Sequence, residues 1–160
     1  ESKGHLYEGG IRVPMIVRWP GQVNPGVVCH EPVVSMDFYP TFLDVAGLKP
    51  TGKPLDGESL VSLFKQTGKF KKRDLYFHFP NYAWHMDNRL GGAVRSGDYK
   101  MIRNYDDQSV ELYDLKSDLS ETKNLVNQQP QLANQLNIKL TEWLKETDAL
   151  MPSPPNPTEQ

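Results

Sequence analysis

Between residues 74 and 115 the chain passes through "DLYFHF", "GGAVRSG", "DYKMIRNY" and "VELYDL", the last three separated by Ser96-Gly97-Asp98 and by "DDQS". Short runs rich in aromatic and β-branched residues, bounded by turn formers, read as strands. Tight turns between consecutive strands leave no room for a crossover, so the pattern predicts an antiparallel meander of three or four strands. Such a sheet needs a cover for its apolar face, and "QPQLANQLNIKLTEWLKETDAL" supplies one. Pro130 falls in its first turn, and Leu132, Leu136, Leu140, Trp143 and Leu144 share one stripe. Burial of each such side chain contributes roughly 1.5–3 kcal/mol, enough together to hold a helix with a polar outer face. Residues 69–150 are therefore read as a small α+β unit. Residues 151–160, "MPSPPNPTEQ", hold four prolines in ten positions and are expected to form an extended, flexible tail.

The first 68 residues follow another pattern. Tyr7-Glu8-Gly9-Gly10 has turn chemistry, and "IRVPMIVRWPG" then predicts a strand over residues 11–19, ended by Pro20-Gly21. Asp37 is placed to cap a helix in "FYPTFLDVAG", with Pro40 at its third position, Gly47 as terminator and Phe38, Phe42 and Val45 on one apolar face. A second short helix is expected in "LDGESLVSLFKQTG", with Leu60, Leu63 and Phe64 inward and Gly68 closing it. Residues 1–68 thus look like pieces of an α/β body, one strand and two short helices. A single strand cannot bury both its faces, so most of the sheet it would join lies outside residues 1–160.

Composition excludes several classes. Of the 160 residues, 38% are apolar and 24% charged, ordinary for a globular chain, and a net charge of −2 gives no general attraction to nucleic acid or an anionic membrane surface. The cluster Lys69, Lys71, Lys72 and Arg73 reads as a solvated loop before a strand. No run approaches the ~18 apolar residues of a membrane span. The single Cys29 cannot form an internal disulfide, and its neighbour His30 is poorly placed to activate it, since adjacent residues on extended backbone point to opposite faces.

With these segments in view, "SKGHLYEGGIRVPMIVRWPG" closely resembles the part of type I, formylglycine-dependent sulfatases of the alkaline phosphatase superfamily in which a Lys precedes a Tyr-Glu-Gly-Gly turn and a Trp-Pro-Gly. "VSMDFYPTFLDVAG", "LDGESLVSLF", "GGAVRSGDYKMI" and "ELYDLKSDLSETKNLV" resemble the later segments of that family in the same order. The resemblance implies the C-terminal portion of a sulfatase. On this reading residues 1–68 are the last piece of the catalytic α/β domain, and residues 69–150 are the C-terminal subdomain. The implied parent is a sulfuric ester hydrolase working outside the cytoplasm, in the periplasm or extracellularly, on a sulfated carbohydrate or aryl sulfate.

The family makes its formylglycine from Cys or Ser in a Cys/Ser-x-Pro-x-Arg motif and binds calcium through Asp and Asn. Neither feature occurs here, because Cys29 is followed by His30-Glu31-Pro32 and no Asp-Asn-Gly cluster precedes Lys3. Formylglycine and calcium are therefore expected on a missing N-terminal portion, no metal ligand is assigned within the chain, and the chain alone is expected to be inactive. By resemblance Lys3 corresponds to the sulfate-binding lysine. Its chemistry suits that role, since a compact ammonium with three donors stabilises the shifting charge on sulfuryl oxygens during S–O cleavage. Glu8 and Arg12 are read as a pair holding the turn. His78, His85 and Arg89 are the candidate substrate contacts, within or beside "PNYAWHMDNRLGG", whose Tyr82, Trp84 and Asn88 suit a sugar ring and its hydroxyls. Two His seven residues apart without a third ligand are poor evidence for zinc. Two alternatives stand beside the sulfatase reading. One is a stand-alone glycan-binding or interaction module, and the other is part of a phosphate or phosphonate ester hydrolase of the same superfamily.

Overall fold

The computed structural model describes residues 3–67, 70–81 and 89–152. It divides into two compact units, residues 1–13 with 73–160, and residues 14–72. His85 and its loop neighbours Tyr82, Trp84 and Asn88, the helix terminator Gly68 and the tail from residue 153 lie outside the described residues.

The larger unit contains the meander. Strands β1 (Asp74–Phe79), β2 (Gly91–Ser96), β3 (Tyr99–Asn104) and β4 (Val110–Asp114) form one antiparallel sheet in the order β1-β2-β3-β4. Gly97 turns between β2 and β3 at φ 60°, where a residue without a Cβ is not strained. Helix α4 (Pro130–Glu146) begins with Pro130 in its first turn and covers one face. Val94, Met101 and Leu112 of the sheet pack there against Ala133, Leu136, Leu140 and Leu144. Tyr76 stacks on Trp143, ring centroids 5.0 Å apart and nearly parallel. The sheet and its covering helix are those the sequence predicts, with four strands, and residues 1–13, read in the sequence with residues 14–68, belong to this unit.

The opposite face also has a cover. Ala93, Ile102, Tyr113 and Leu115 pack with Phe77, Leu6 and Tyr7, so the N-terminal segment lies across the sheet. The turn it carries is a single helical turn, α1 (Glu8–Ile11), closed by the N–H groups of Gly10 and Ile11 on the Tyr7 carbonyl and by Arg12 on that of Glu8. The strand expected over residues 11–19 is not formed. Glu8–Ile11 is helical, residues 12–19 have no ladder partner among the described residues, and Val13 and Ile16 are exposed. An extended run becomes a strand only when a neighbour takes its N–H and C=O groups.

The smaller unit is built around α2 (Phe38–Val45), preceded by a 3-10 turn at Ser35–Asp37, and α3 (Val61–Phe64). Asp37 does not cap α2 in the expected manner. Its fully buried carboxylate accepts from the N–H groups of Val34 and Glu58, tying the start of the 3-10 turn to the segment before α3. The Thr41 hydroxyl donates to the Asp37 carbonyl and accepts from the N–H of Leu60, which is itself fully buried. The side α2 buries in this unit is therefore Pro40 and Thr41. The apolar face read in the sequence, Phe38, Phe42 and Val45, is exposed, Phe42 to 67%. The second helix is shorter than expected, one turn followed by Gln66 at φ 55°.

Candidate functional site

Lys3 stands just upstream of a segment fastened to the sheet at successive points. Gly4 turns the chain at φ 101°, a conformation open to glycine. Leu6 and Tyr7 then pack on the sheet face, with the Tyr7 ring edge-on to Tyr113 at 6.2 Å. The Tyr7 and Tyr113 hydroxyls both donate to Oε2 of Glu111 at 2.7 Å. Burial, reinforced by that bond to Glu111, pushes the Tyr113 phenol far above its ordinary pKa, so it remains a donor at any working pH.

Glu8 sits at the centre of the contact. Its Oε1 lies 3.1 Å from Nζ of Lys100, which has no solvent exposure, and the same ammonium lies 2.8 Å from Oε1 of Glu121. The second Glu121 oxygen accepts from the Glu8 backbone N–H at 2.6 Å. Arg12 approaches Oε2 of Glu8 at 3.6 Å, as the pair expected from the sequence to hold the turn, and Arg95 at 4.0 Å. One buried cation thus serves two buried carboxylates, with two partly exposed guanidinium groups at the rim. Burial raises the Glu121 pKa, opposed by the Lys100 ammonium and the Glu8 N–H.

From this base Lys3 projects as an exposed side chain, with no ion pair to a described residue. A lysine held on a fixed backbone and free at its tip can meet an anion with its three N–H donors. Two other candidates, His78 and Arg89, lie among the described residues. His78 faces α4, on the side of the sheet away from Leu6, Tyr7 and Glu8, and both its ring nitrogens are engaged. Nδ1 lies 2.7 Å from the Tyr105 hydroxyl and Nε2 2.9 Å from the Leu150 carbonyl. Because a carbonyl can only accept, Nε2 carries the proton, and in the neutral ring Nδ1 accepts from Tyr105. Arg89 sits before β2 and pairs with Asp107 at 2.7 Å and Asp106 at 3.8 Å, bracing the β3–β4 turn. His78 and Arg89 are thus each held by partners within the larger unit.

Sequence reading passes over Lys100, Glu111 and Glu121. Lys100 had a readable signal, since in β3 it alternates onto the same face as Ile102 and Asn104, an inward position for a charged residue. Glu121 lies in a loop, where no periodicity marks it. The described residues assemble no calcium site. Among the described residues no group of three or more His, Cys, Asp or Glu side chains is placed to hold a metal ion, and the carboxylates that do converge share the Lys100 ammonium. Cys29 is exposed.

Comparison with known proteins agrees with this architecture. Residues 2–149 match the family described as N-sulphoglucosamine sulphohydrolase, C-terminal. A sulfatase of Formosa agariphila is 39% identical over 165 residues, covering 92% of this chain and 29% of the relative. An N-acetylglucosamine-6-O-sulfatase of Bacteroides thetaiotaomicron is 32% identical over 128 residues, covering 78% of this chain and 23% of its own length. Among solved structures, Ps i-CgsB in complex with k-i-k-neocarrahexaose superposes with a TM-score of 0.68 at 28% identity, covering 85% of this chain and 29% of that one. The chain spans less than a third of the length of each of these relatives. With its sheet, its covering helix and nearly its whole length matched, the chain belongs to the sulfatase family and corresponds to that family's C-terminal part.

Proposed function

We propose that this chain is the C-terminal part of an enzyme that hydrolyses sulfate esters on a sulfated carbohydrate, and that Lys3 is its contribution to the chemistry. The observation that carries the reading is the fastening of the turn after Lys3 to a rigid sheet, which leaves the ammonium exposed on an ordered base. A sulfuryl group in S–O cleavage redistributes negative charge between its own oxygens and the departing oxygen. An ammonium already in place donates to those oxygens without reorganisation, and in a pocket poor in water its attraction is stronger. Lys3 does not have to transfer a proton to do this. The sugar class is supported by the N-acetylglucosamine-6-O-sulfatase relative and by the oligosaccharide in the matched structure. The nucleophile and calcium belong to the part of the parent that this chain does not match, so residues 1–160 alone release no sulfate. The family resemblance supports work in the periplasm or outside the cell.

The test is sulfate release from N-acetylglucosamine 6-sulfate and from 4-nitrophenyl sulfate by the full-length polypeptide, its Lys3→Ala variant, and residues 1–160 alone. Loss of one preorganised donor lowers kcat by about 10²–10³-fold, and that is the result expected for Lys3→Ala. A variant turning over at the parental rate overturns the role of Lys3, and sulfate release by residues 1–160 overturns the assignment of the nucleophile to the rest of the parent.

A further inference from the structure

Lys100 and both of its carboxylate partners are buried, and their position on the sheet is unexpected for a structural core. Withdrawing an ammonium and two carboxylates from water costs more than their attraction reliably returns, and apolar side chains of the same volume commonly hold such a place as well or better. The other face of this sheet shows the apolar solution, with Val94, Met101 and Leu112 under α4. The charged solution occurs where the N-terminal turn docks. It differs in being directional, because Glu121 holds a particular backbone N–H and Lys100 holds a particular carboxylate oxygen of the same residue, Glu8. Glu121 itself sits at φ 55°, a left-handed conformation uncommon outside glycine, which the loop sustains at the residue whose carboxylate makes both bonds.

We propose that Lys100 and Glu121 are positioning residues for Lys3: the buried cluster they form with Glu8 fixes the turn that carries the sulfate-facing ammonium and thereby sets the rate of S–O cleavage without touching substrate. This rests on the reading of Lys3 given above. Only Gly4 and His5 separate Lys3 from Leu6, the first residue packed on the sheet, so the reach of the ammonium is limited by where residues 6–8 are held. Release of Glu8 from Lys100 lets the turn pivot on Tyr7 and moves the ammonium off the sulfuryl oxygens. A misplacement of this kind, of about 1 Å, lowers turnover by up to about a hundredfold.

The experiment is a double-mutant cycle on the full-length polypeptide with 4-nitrophenyl sulfate, reading kcat and KM for the parent, Lys3→Ala, Lys100→Met and the double variant. Expected are a tenfold or larger fall in kcat for Lys100→Met with KM nearly unchanged, and a double variant no slower than Lys3→Ala. If Lys100→Met slows the Lys3→Ala enzyme by the same factor as it slows the parent, the cluster is structural only and the proposal falls. A folded Lys100→Met enzyme at the parental rate also overturns it. A parental rate for Lys3→Ala instead sinks the reading of Lys3 and is seen separately. Should Lys100→Met fail to fold, Glu121→Gln, which keeps an oxygen for the Glu8 N–H, carries the same cycle. Its loss of kcat must then disappear in the Lys3→Ala background, and persistence there overturns the proposal.

Discussion

The Glu8 backbone N–H donates to Oε2 of Glu121 at 2.6 Å, joining positions 113 residues apart in the chain. The contact makes the N-terminal turn a layer of the larger unit. The sheet is covered by α4 on one side and by residues 6–8 on the other, and the second layer is held by hydrogen bonds and charge as well as by apolar contact.

Removing one member of a buried ion cluster costs more than removing all of it. Lys100→Met leaves the Glu8 and Glu121 carboxylates facing each other without their shared cation, and the expected loss of stability is roughly 3–5 kcal/mol. Replacing all three together, Glu8→Leu with Lys100→Met and Glu121→Leu, is expected to be far less damaging despite changing more atoms. Urea unfolding of both proteins checks the ranking. A triple variant less stable than Lys100→Met would show that the charges contribute net stability at this position.

His78 is bound into the fold through both nitrogens, and its substitution should register as stability. His78→Ala frees the Leu150 carbonyl and leaves the Tyr105 hydroxyl without its acceptor, for a cost of about 1–3 kcal/mol. The melting temperature should fall while KM for N-acetylglucosamine 6-sulfate stays at the parental value. A tenfold rise in KM with unchanged melting would instead make His78 a substrate contact.

The meander and α4 were legible because their side chains obey one rule each. Alternation in β2 and β3 separates Val94 and Met101 from Ala93 and Ile102, and the stripe Leu136, Leu140 and Leu144 sets the helix face. Residues 12–19 form no strand for a physical reason. Apolar β-branched residues state a preference for extended backbone, whereas a strand requires a partner, and none is present among the described residues. The apolar stripe of α2 was likewise real in the sequence yet exposed here, while polar Asp37 and Thr41 do the local holding. Of the candidate site, the Glu8–Arg12 pair could be read as opposite charges flanking the Gly9-Gly10 turn. The contacts to Lys100 and Glu121 close over about a hundred residues and leave no local pattern.

Gly57 tests the smaller unit. A Cβ at this position would overlap the carbonyl oxygen and carbon of Met36, backbone atoms that cannot swing away as a flexible side chain would. The neighbouring Glu58 N–H is bonded to Asp37 and the Leu60 N–H to Thr41, so the segment cannot retreat without breaking those bonds. Gly57→Ala is expected to destabilise by about 1–3 kcal/mol, the usual cost of overpacking a well-filled site. Differential unfolding of the intact protein in urea would show it, and an unchanged midpoint would mean that the segment has room to shift.

Asp118 gives a dependence on pH whose sign follows from its partners. Its carboxylate accepts from the backbone N–H groups of Lys123 and Thr122 and from the Thr122 hydroxyl, and these bonds hold its pKa below the ordinary aspartate value, the Lys123 N–H contributing most. A folded pKa below the unfolded one means that the native state binds the proton less readily. The stability contributed by the charge is therefore fully present above the unfolded value and is lost as pH falls through the folded one. Asp118→Ala should lower the melting temperature at pH 7, and the gap from the parent should narrow below about pH 4. Every other charged group is common to both proteins, so the difference between them isolates Asp118. A gap that stays constant from pH 7 to pH 3 would assign the effect to the geometry of the loop and remove the carboxylate charge as its source.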